Sequence, residues 1–235
     1  MDKKQTNLFA FEGINGCGKS TQIDMLFNKL SKDIKIKVFN EPSESILGKT
    51  IRHEYLTGKS EADTFLMANL FMVDRYSQII NEVVDATNDG YNILQSRSFV
   101  SSMVLEYAKS GDPEDYKRIF ELNKECINRY YENNIKLHII FIDVNPDTCI
   151  DRQKKMNNIA DIHECEDFMR KQRKAFLDVL LYLQETQLKM IDEDLFEFHI
   201  VNGNRSKEEV FNDIGNYIIF SQMNSDIVND PNLQD

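Results

Sequence analysis

The chain has 235 residues, 41% hydrophobic and 29% charged, with a formal net charge of −11; this is enough for one α/β domain with a full hydrophobic core and is ordinary for a soluble globular protein. The negative balance argues against a nucleic-acid partner, because a polyanion is repelled on average, so basic residues should gather where a small anionic ligand sits. No apolar run is long enough to span a bilayer, the start MDKKQTNLF lacks the apolar core of a signal peptide, and Cys17, Cys126, Cys149 and Cys165 form no C-x-x-C pair, which leads us to expect a cytoplasmic protein with no membrane partner, disulfide framework or zinc site.

Leu8, Phe9, Ala10 and Phe11 read as a buried strand, and Ile23, Leu26, Phe27 and Leu30 recur at helical spacing. Between them, Gly13 to Ser20 read G-x-x-x-x-G-K-S. In that pattern Gly13, Gly16 and Gly18 let backbone N–H groups approach phosphate oxygens, and the helix that follows aims its free N–H groups at the same anion. Lys19 reaches the terminal phosphates of a bound nucleotide and the Ser20 hydroxyl is the candidate magnesium ligand. Asn15, Cys17 and Thr21 complete the phosphate-binding turn, with Cys17 read as a small filler residue.

A second strand, residues 34–40, runs into Glu41-Pro42, where proline opens a loop. Ser60 with Asp63 suggests a helix cap, and Phe65, Ala68, Met72, Tyr76, Ile79 and Val83 trace a buried stripe. Phe71 and Arg75 lie four residues apart on a neighbouring face, so their side chains are adjacent. A third strand, residues 91–95, leads into Ser96-Arg97 and another helix. Asp112-Pro113 and Asn145-Pro146 open helices. Between them lie a helix through Tyr116, Ile119, Phe120, Ile127 and Tyr130 and an apolar strand over 137–144. A basic-to-polar run follows Asp151, then a helix through Met169, Phe176, Leu180 and Leu183. A last strand over 196–201 and a helix capped by Ser206 with Glu209 complete the core, and an acidic tail, residues 224–235, is expected to be disordered. Residues 1–223 thus read as a single domain. Alternating apolar strands and helices imply a parallel sheet covered on both faces, with ligands at the carboxyl ends of the strands.

In this order, FEGINGCGKSTQ, FNEPSESILGKTIR, LFMVDR, ILQSRSFVSS and FIDVNPDTCIDR followed by ECEDFMRKQRKAF resemble the segments of the thymidylate kinase family over roughly residues 6–220. The resemblance implies a P-loop NTPase-type three-layer sandwich with a five-stranded parallel sheet, and transfer of the γ-phosphate of ATP, with Mg2+, to a pyrimidine deoxynucleoside monophosphate. It implies that Phe71 stacks on the base, Arg75 hydrogen-bonds its exocyclic oxygen, and Arg97 holds the acceptor phosphate. Glu41, Arg52, Ser101, Ser102 and Leu105 join them around the acceptor, Glu41 also as holder of a magnesium-bound water. Lys19, Arg97 and Arg152 are the catalytic cations. A lid over about 152–164 and a homodimer are further implications, with the helices at 62–86 and 113–131 able to supply the dimer face.

Several positions depart from the family pattern. Asn15 and Ser96 stand where it has aspartates, Leu105 where it has a tyrosine that crowds a 2′-hydroxyl, with Tyr107 close by. In the lid, Asp161-Ile162-His163-Glu164 lacks the usual arginine at Ile162, leaving Arg152, Lys154 and Lys155 as candidate cations. These changes raise dUMP or a 5-modified relative as an alternative acceptor. A deoxynucleoside kinase is a rival reading, although Ser96 supplies no carboxylate to deprotonate a 5′-hydroxyl. A catalytically weak nucleotide-binding regulator is another.

Overall fold

The computed structural model describes residues 4–60, 63–155, 166–189 and 196–228. Five strands, β1 (Thr6–Glu12), β2 (Ile36–Asn40), β3 (Asn92–Ser96), β4 (Ile135–Asp143) and β5 (Phe196–Asn202), pair in parallel in the order β2-β3-β1-β4-β5. Central β1 is buried along its whole length, which is why Leu8 to Phe11 run apolar without alternation. Because the strands are parallel, their carboxyl ends meet along one edge, where ligands bind in such sheets.

The helices are α1 (Lys19–Leu30), α2 (Ile46–Thr50), α3 (Thr64–Gln78), α4 (Val84–Asn88), α5 (Phe99–Ser110), α6 (Pro113–Glu132), α7 (Pro146–Lys155), α8 (Glu166–Lys189) and α9 (Lys207–Val228). π-helical turns extend α2 over Ile51–Tyr55 and join α3 to α4 over Ile79–Val83. One helical layer contains α1 and α9, packed on each other and on the sheet. The other is built around α5, which packs on α3, α6 and α8, with α6 on β4. The architecture is the P-loop NTPase three-layer sandwich that the sequence pattern leads us to expect.

Local chemistry explains where the elements begin. Ser206 and Glu209 form a reciprocal capping box, Ser206 N donating to Glu209 Oε2 at 3.0 Å and Glu209 N to Ser206 Oγ at 3.3 Å. Asp112 caps α6, accepting from Glu114 N at 3.0 Å, with Pro113 in the first turn. Three details differ from the sequence expectation. Asp63 alone caps α3, accepting from Leu66 N at 2.6 Å, and Ser60 sits in the preceding turn. Phe65, expected in the buried stripe, is 40% exposed, because it lies in the first turn of α3 with the Arg118 guanidinium over its ring at 4.3 Å. Residues 224–228, assigned to a disordered tail, continue α9, since Ser225 is buried and its hydroxyl donates to Asn7 Oδ1 of β1 at 3.1 Å. The rest of that tail, 229–235, and the lid residues 156–164 lie outside the described residues.

Candidate active site

Glu12 ends β1, and the chain turns at once through Gly13, whose φ is 143°. A Cβ there would stand 2.9 Å from Ile142 O and 2.7 Å from Cys17 Sγ, so the turn admits only glycine. Gly18, at φ 107°, precedes α1 and offers no side-chain cap. The first N–H groups of α1 are therefore left for an anion. Lys19 is buried and donates to Gly13 O at 2.7 Å and Ile14 O at 3.1 Å. Burial holds its pKa below the ordinary lysine value. These carbonyl bonds are the ones a terminal phosphate would replace.

The loop opens onto a cleft of about 650 Å³ that takes in Asn15 to Thr21, including Gly16, Cys17, Lys19 and Ser20, together with Ser96, Arg97 and Arg152. Three cations beyond Arg152, namely Lys155, Arg205 and Lys207, also line it, so positive charge collects there in a chain of net charge −11. Arg152, from α7, donates to Gly16 O at 3.4 Å, Cys17 O at 3.3 Å and Gly203 O at 3.1 Å, binding α7 to the phosphate loop. Among the described residues no cluster of His, Cys, Asp and Glu is built to hold a metal. The donor set that exists, the exposed Ser20 hydroxyl with phosphate oxygens, fits magnesium carried in on a nucleotide.

A second, smaller cavity of about 130 Å³ shares Asn15 and Arg97 with the cleft. Its wall brings together Gly13, Glu41, Phe71, Arg75, Ser101, Ser102 and Leu105, residues from four separate stretches of the sequence. Arg97 stands just past β3 with φ 72°, a left-handed backbone unusual for a side-chain-bearing residue. Its carbonyl accepts from Gln95 Nε2 at 3.0 Å, its Nη1 donates to Ser101 Oγ at 3.2 Å, and its Nη2 donates to Asn15 Oδ1. The guanidinium thus occupies the boundary between the two cavities.

Arg75 is 1% exposed. Its Nε donates to Glu41 Oε1 at 2.8 Å and its Nη2 to Glu41 Oε2 at 2.5 Å, with Nη1 donating to Asn123 Oδ1 at 2.5 Å. Burial works against its charge, but the Glu41 carboxylate beside it more than compensates and holds its pKa above the ordinary guanidinium value. Gln95 Nε2 adds a bond to Glu41 Oε1 at 2.9 Å. Oε1 is thus engaged by Arg75 and Gln95 and Oε2 by Arg75, so the carboxylate orients the guanidinium at the cavity wall. Arg52 is absent from both cavity walls; it donates to Pro42 O at 2.7 Å and pairs with Glu44 at 3.1 Å, bracing the loop after β2. Tyr107 points toward α8, donating to Asp178 at 3.1 Å, so Leu105 faces the cavity.

Sequence reasoning passed over Asp74, Gln95 and Gln172. Asp74 accepts from Ser43 N at 2.7 Å, Ser43 Oγ at 2.6 Å and Ser45 Oγ at 2.9 Å, tying the loop after the cis Glu41-Pro42 bond to α3. Its place beside Arg75 in LFMVDR was the available signal. Gln172 and Phe176 of α8 close the cavity; Phe176 showed only as a core position, and nothing local marked Gln172.

A parallel sheet of this order, a glycine-rich loop entering α1 and a cation-lined cleft beside a second polar cavity define a P-loop nucleotide-binding enzyme. The model of the family described as thymidylate kinase matches residues 11–214, and the chain belongs to that family of nucleoside monophosphate kinases. The thymidylate kinase of Campylobacter concisus is 30% identical over 211 residues, 89% of this chain and 97% of that one. A probable thymidylate kinase of Methanocaldococcus jannaschii is 30% identical over 216 residues, 90% of this chain and 96% of that one. In fold, the chain resembles the solved thymidylate kinase of Candida albicans with a TM-score of 0.67 at 22% identity, covering 96% of this chain and 95% of that one. Among the described residues no helix is long and apolar enough to cross a membrane.

Proposed function

We propose that this chain is a cytosolic kinase that moves the γ-phosphate of ATP to dTMP. The observation that carries the reading is Arg97, which lines both cavities and is held at their boundary by Ser101 and Asn15. A guanidinium there can grip the acceptor phosphate through two N–H groups and face the donor at the same time. Lys19 and the loop N–H groups would hold the donor phosphates, with Arg152 bracing the loop from the far side. Magnesium held by Ser20 and the phosphates would neutralise charge on the transferring group. Phe71 would stack on the base, and Arg75, oriented by Glu41, would read its exocyclic oxygen. No general base is needed, because the acceptor phosphate is already ionised; alignment and charge neutralisation do the work.

Leu105, Asn15 and Ser96 favour a second acceptor, dUMP or a 5-substituted relative. Leu105 offers an apolar wall and no hydroxyl, and neither Asn15 nor Ser96 brings the carboxylate of the family pattern. The deciding experiment is a magnesium- and ATP-dependent transfer assay across dTMP, dUMP, 5-substituted dUMP, dCMP, UMP, dGMP and free thymidine. Highest kcat/KM on dTMP supports the first reading, and highest kcat/KM on another pyrimidine monophosphate the second. Transfer to free thymidine alone would sink both, as would ATP binding without turnover.

We also propose a homodimer. Phe65, Leu66, Val73 and Ile80 lie 40–50% exposed along α3 and the turn that follows it, a stripe of apolar side chains open to a second copy. Sedimentation of the wild type and of Val73→Asp tests it: a monomeric wild type would refute it.

A further inference from the structure

Glu12, the last residue of β1, is 0% exposed and lines neither cavity. A buried carboxylate is costly unless fully hydrogen-bonded, and an apolar side chain would fill this place without that penalty. Here the carboxylate is answered by two hydroxyls from the segment that follows β3, the neighbour of β1 in the sheet. Ser98 Oγ donates to its Oε1 at 2.7 Å and Ser101 Oγ to its Oε2 at 2.6 Å.

A serine hydroxyl has one proton to give. With both protons committed to Glu12, each serine oxygen is left as an acceptor. Ser98 Oγ accepts from Val100 N at 3.3 Å and caps α5; Ser101 Oγ accepts from Arg97 Nη1 at 3.2 Å. Arg97 then reaches Asn15 with its other terminal nitrogen. Burial holds the Glu12 pKa above the ordinary carboxylate value; the Ser101 and Ser98 hydroxyls, then the charges of Arg97 and Lys19, act against that rise and favour the ionised form.

We infer that Glu12 is a positioning residue for Arg97: its carboxylate fixes the direction of the two serine hydroxyls and, through Ser101, aims the guanidinium at the boundary between the cavities. The inference rests on the reading of Arg97 as the group that holds the acceptor phosphate. Glu12→Gln keeps the shape but turns one acceptor oxygen into an N–H donor. The serine facing it must then swing its proton toward Val100 N–H or Arg97 N–H, setting donor against donor.

The test is steady-state kinetics with ATP and dTMP, alongside melting curves, for the wild type, E12Q, S101A, the E12Q/S101A double variant and R97A. E12Q should lower kcat/KM for the monophosphate by about tenfold while the KM for ATP stays within about twofold. Most of that loss should vanish when E12Q is made in S101A, since the link it acts through is already gone. Losses that simply multiply, or unchanged acceptor kinetics in E12Q, would overturn the inference. If E12Q fails to fold, Glu12→Asp takes its place, since it keeps the charge but draws the oxygens back from Ser98 and Ser101: a drop of about threefold or more in acceptor kcat/KM at unchanged ATP KM, abolished in the S101A background, supports the relay, and wild-type kinetics refute it. Near-normal turnover in R97A would instead remove the reading of Arg97, a failure distinguishable from an inactive R97A beside an unaffected E12Q.

Discussion

Arg75 and Glu41, 34 positions apart in sequence, meet as a two-pronged ion pair of 2.8 and 2.5 Å with both side chains almost fully buried. A buried pair is stable only while both partners stay, because removing one leaves the other charged without an answer. Glu41→Gln should therefore cost about 3–5 kcal/mol of unfolding free energy, read from urea titrations. Acceptor KM should rise in step, as Arg75 loses the group that orients it. A variant as stable as the wild type would show that the bonds Arg75 donates to Asn123 Oδ1 and, at 3.5 Å, to Ser102 Oγ suffice.

Arg97 sets a demand of function against one of stability. Its left-handed backbone costs a side-chain-bearing residue roughly 1–3 kcal/mol. Arg97→Gly should lower kcat/KM by about 10³-fold, close to 4 kcal/mol of transition-state stabilisation. Its melting temperature should hold or rise, since glycine adopts this conformation without strain. Loss of stability together with activity would point to a structural role instead.

Gly48, in α2, packs against the main chain of the loop after β2. A Cβ there would sit 2.2 Å from Ser43 O and 2.7 Å from the Ser43 carbonyl carbon and nitrogen. Main-chain atoms cannot swing aside as a side-chain tip can, so Gly48→Ala should force apart the bonds Asp74 makes to Ser43 and Ser45. The expected result is about 1–3 kcal/mol of destabilisation with a raised acceptor KM. Unchanged acceptor binding would mean that Asp74 does not need this loop packed.

His138, on β4, is 1% exposed and bonded to Asn7, Tyr217 and Glu197. Burial holds its pKa below the ordinary imidazole value. Its folded-state pKa is depressed, so the unfolded chain binds the proton first; the stability this gives is present above about pH 6.5 and is lost as pH falls. As pH falls below about 6.5 the wild type should lose stability by up to about 1.4 kcal/mol per pH unit, and His138→Asn should show a flatter slope. Glu197, whose pKa is also lowered, chiefly by its hydrogen bond to His138, acts in the same direction but below the ordinary glutamate value. Equal slopes in the two proteins would exclude His138 as the source.

Taken by itself, the order of residues determined the strands, the phosphate loop, the helix that follows it and the positions of the ligand-bearing turns. Those features rest on local physics. Leu8 to Phe11 are apolar in a row because the strand is covered on both faces, and Gly13 and Gly18 mark backbone that other residues cannot follow. What each charged side chain faces depended on the packed fold. Glu41 and Arg52 look alike as polar residues of one loop, yet one is buried against Arg75 and the other braces Pro42 and Glu44 at the surface. Glu12 lies just past the run Leu8 to Phe11 that reads as a strand, and only the placing of β3 beside β1 brings Ser98 and Ser101 to it. Tyr107 and Leu105, two residues apart, are separated by the turn of α5, which sends one to α8 and the other to the cavity. Burial and hydrogen-bond partnership are long-range properties, set by which elements the sheet and its helices bring into contact, and a sequence pattern with a period of a few residues carries no record of them.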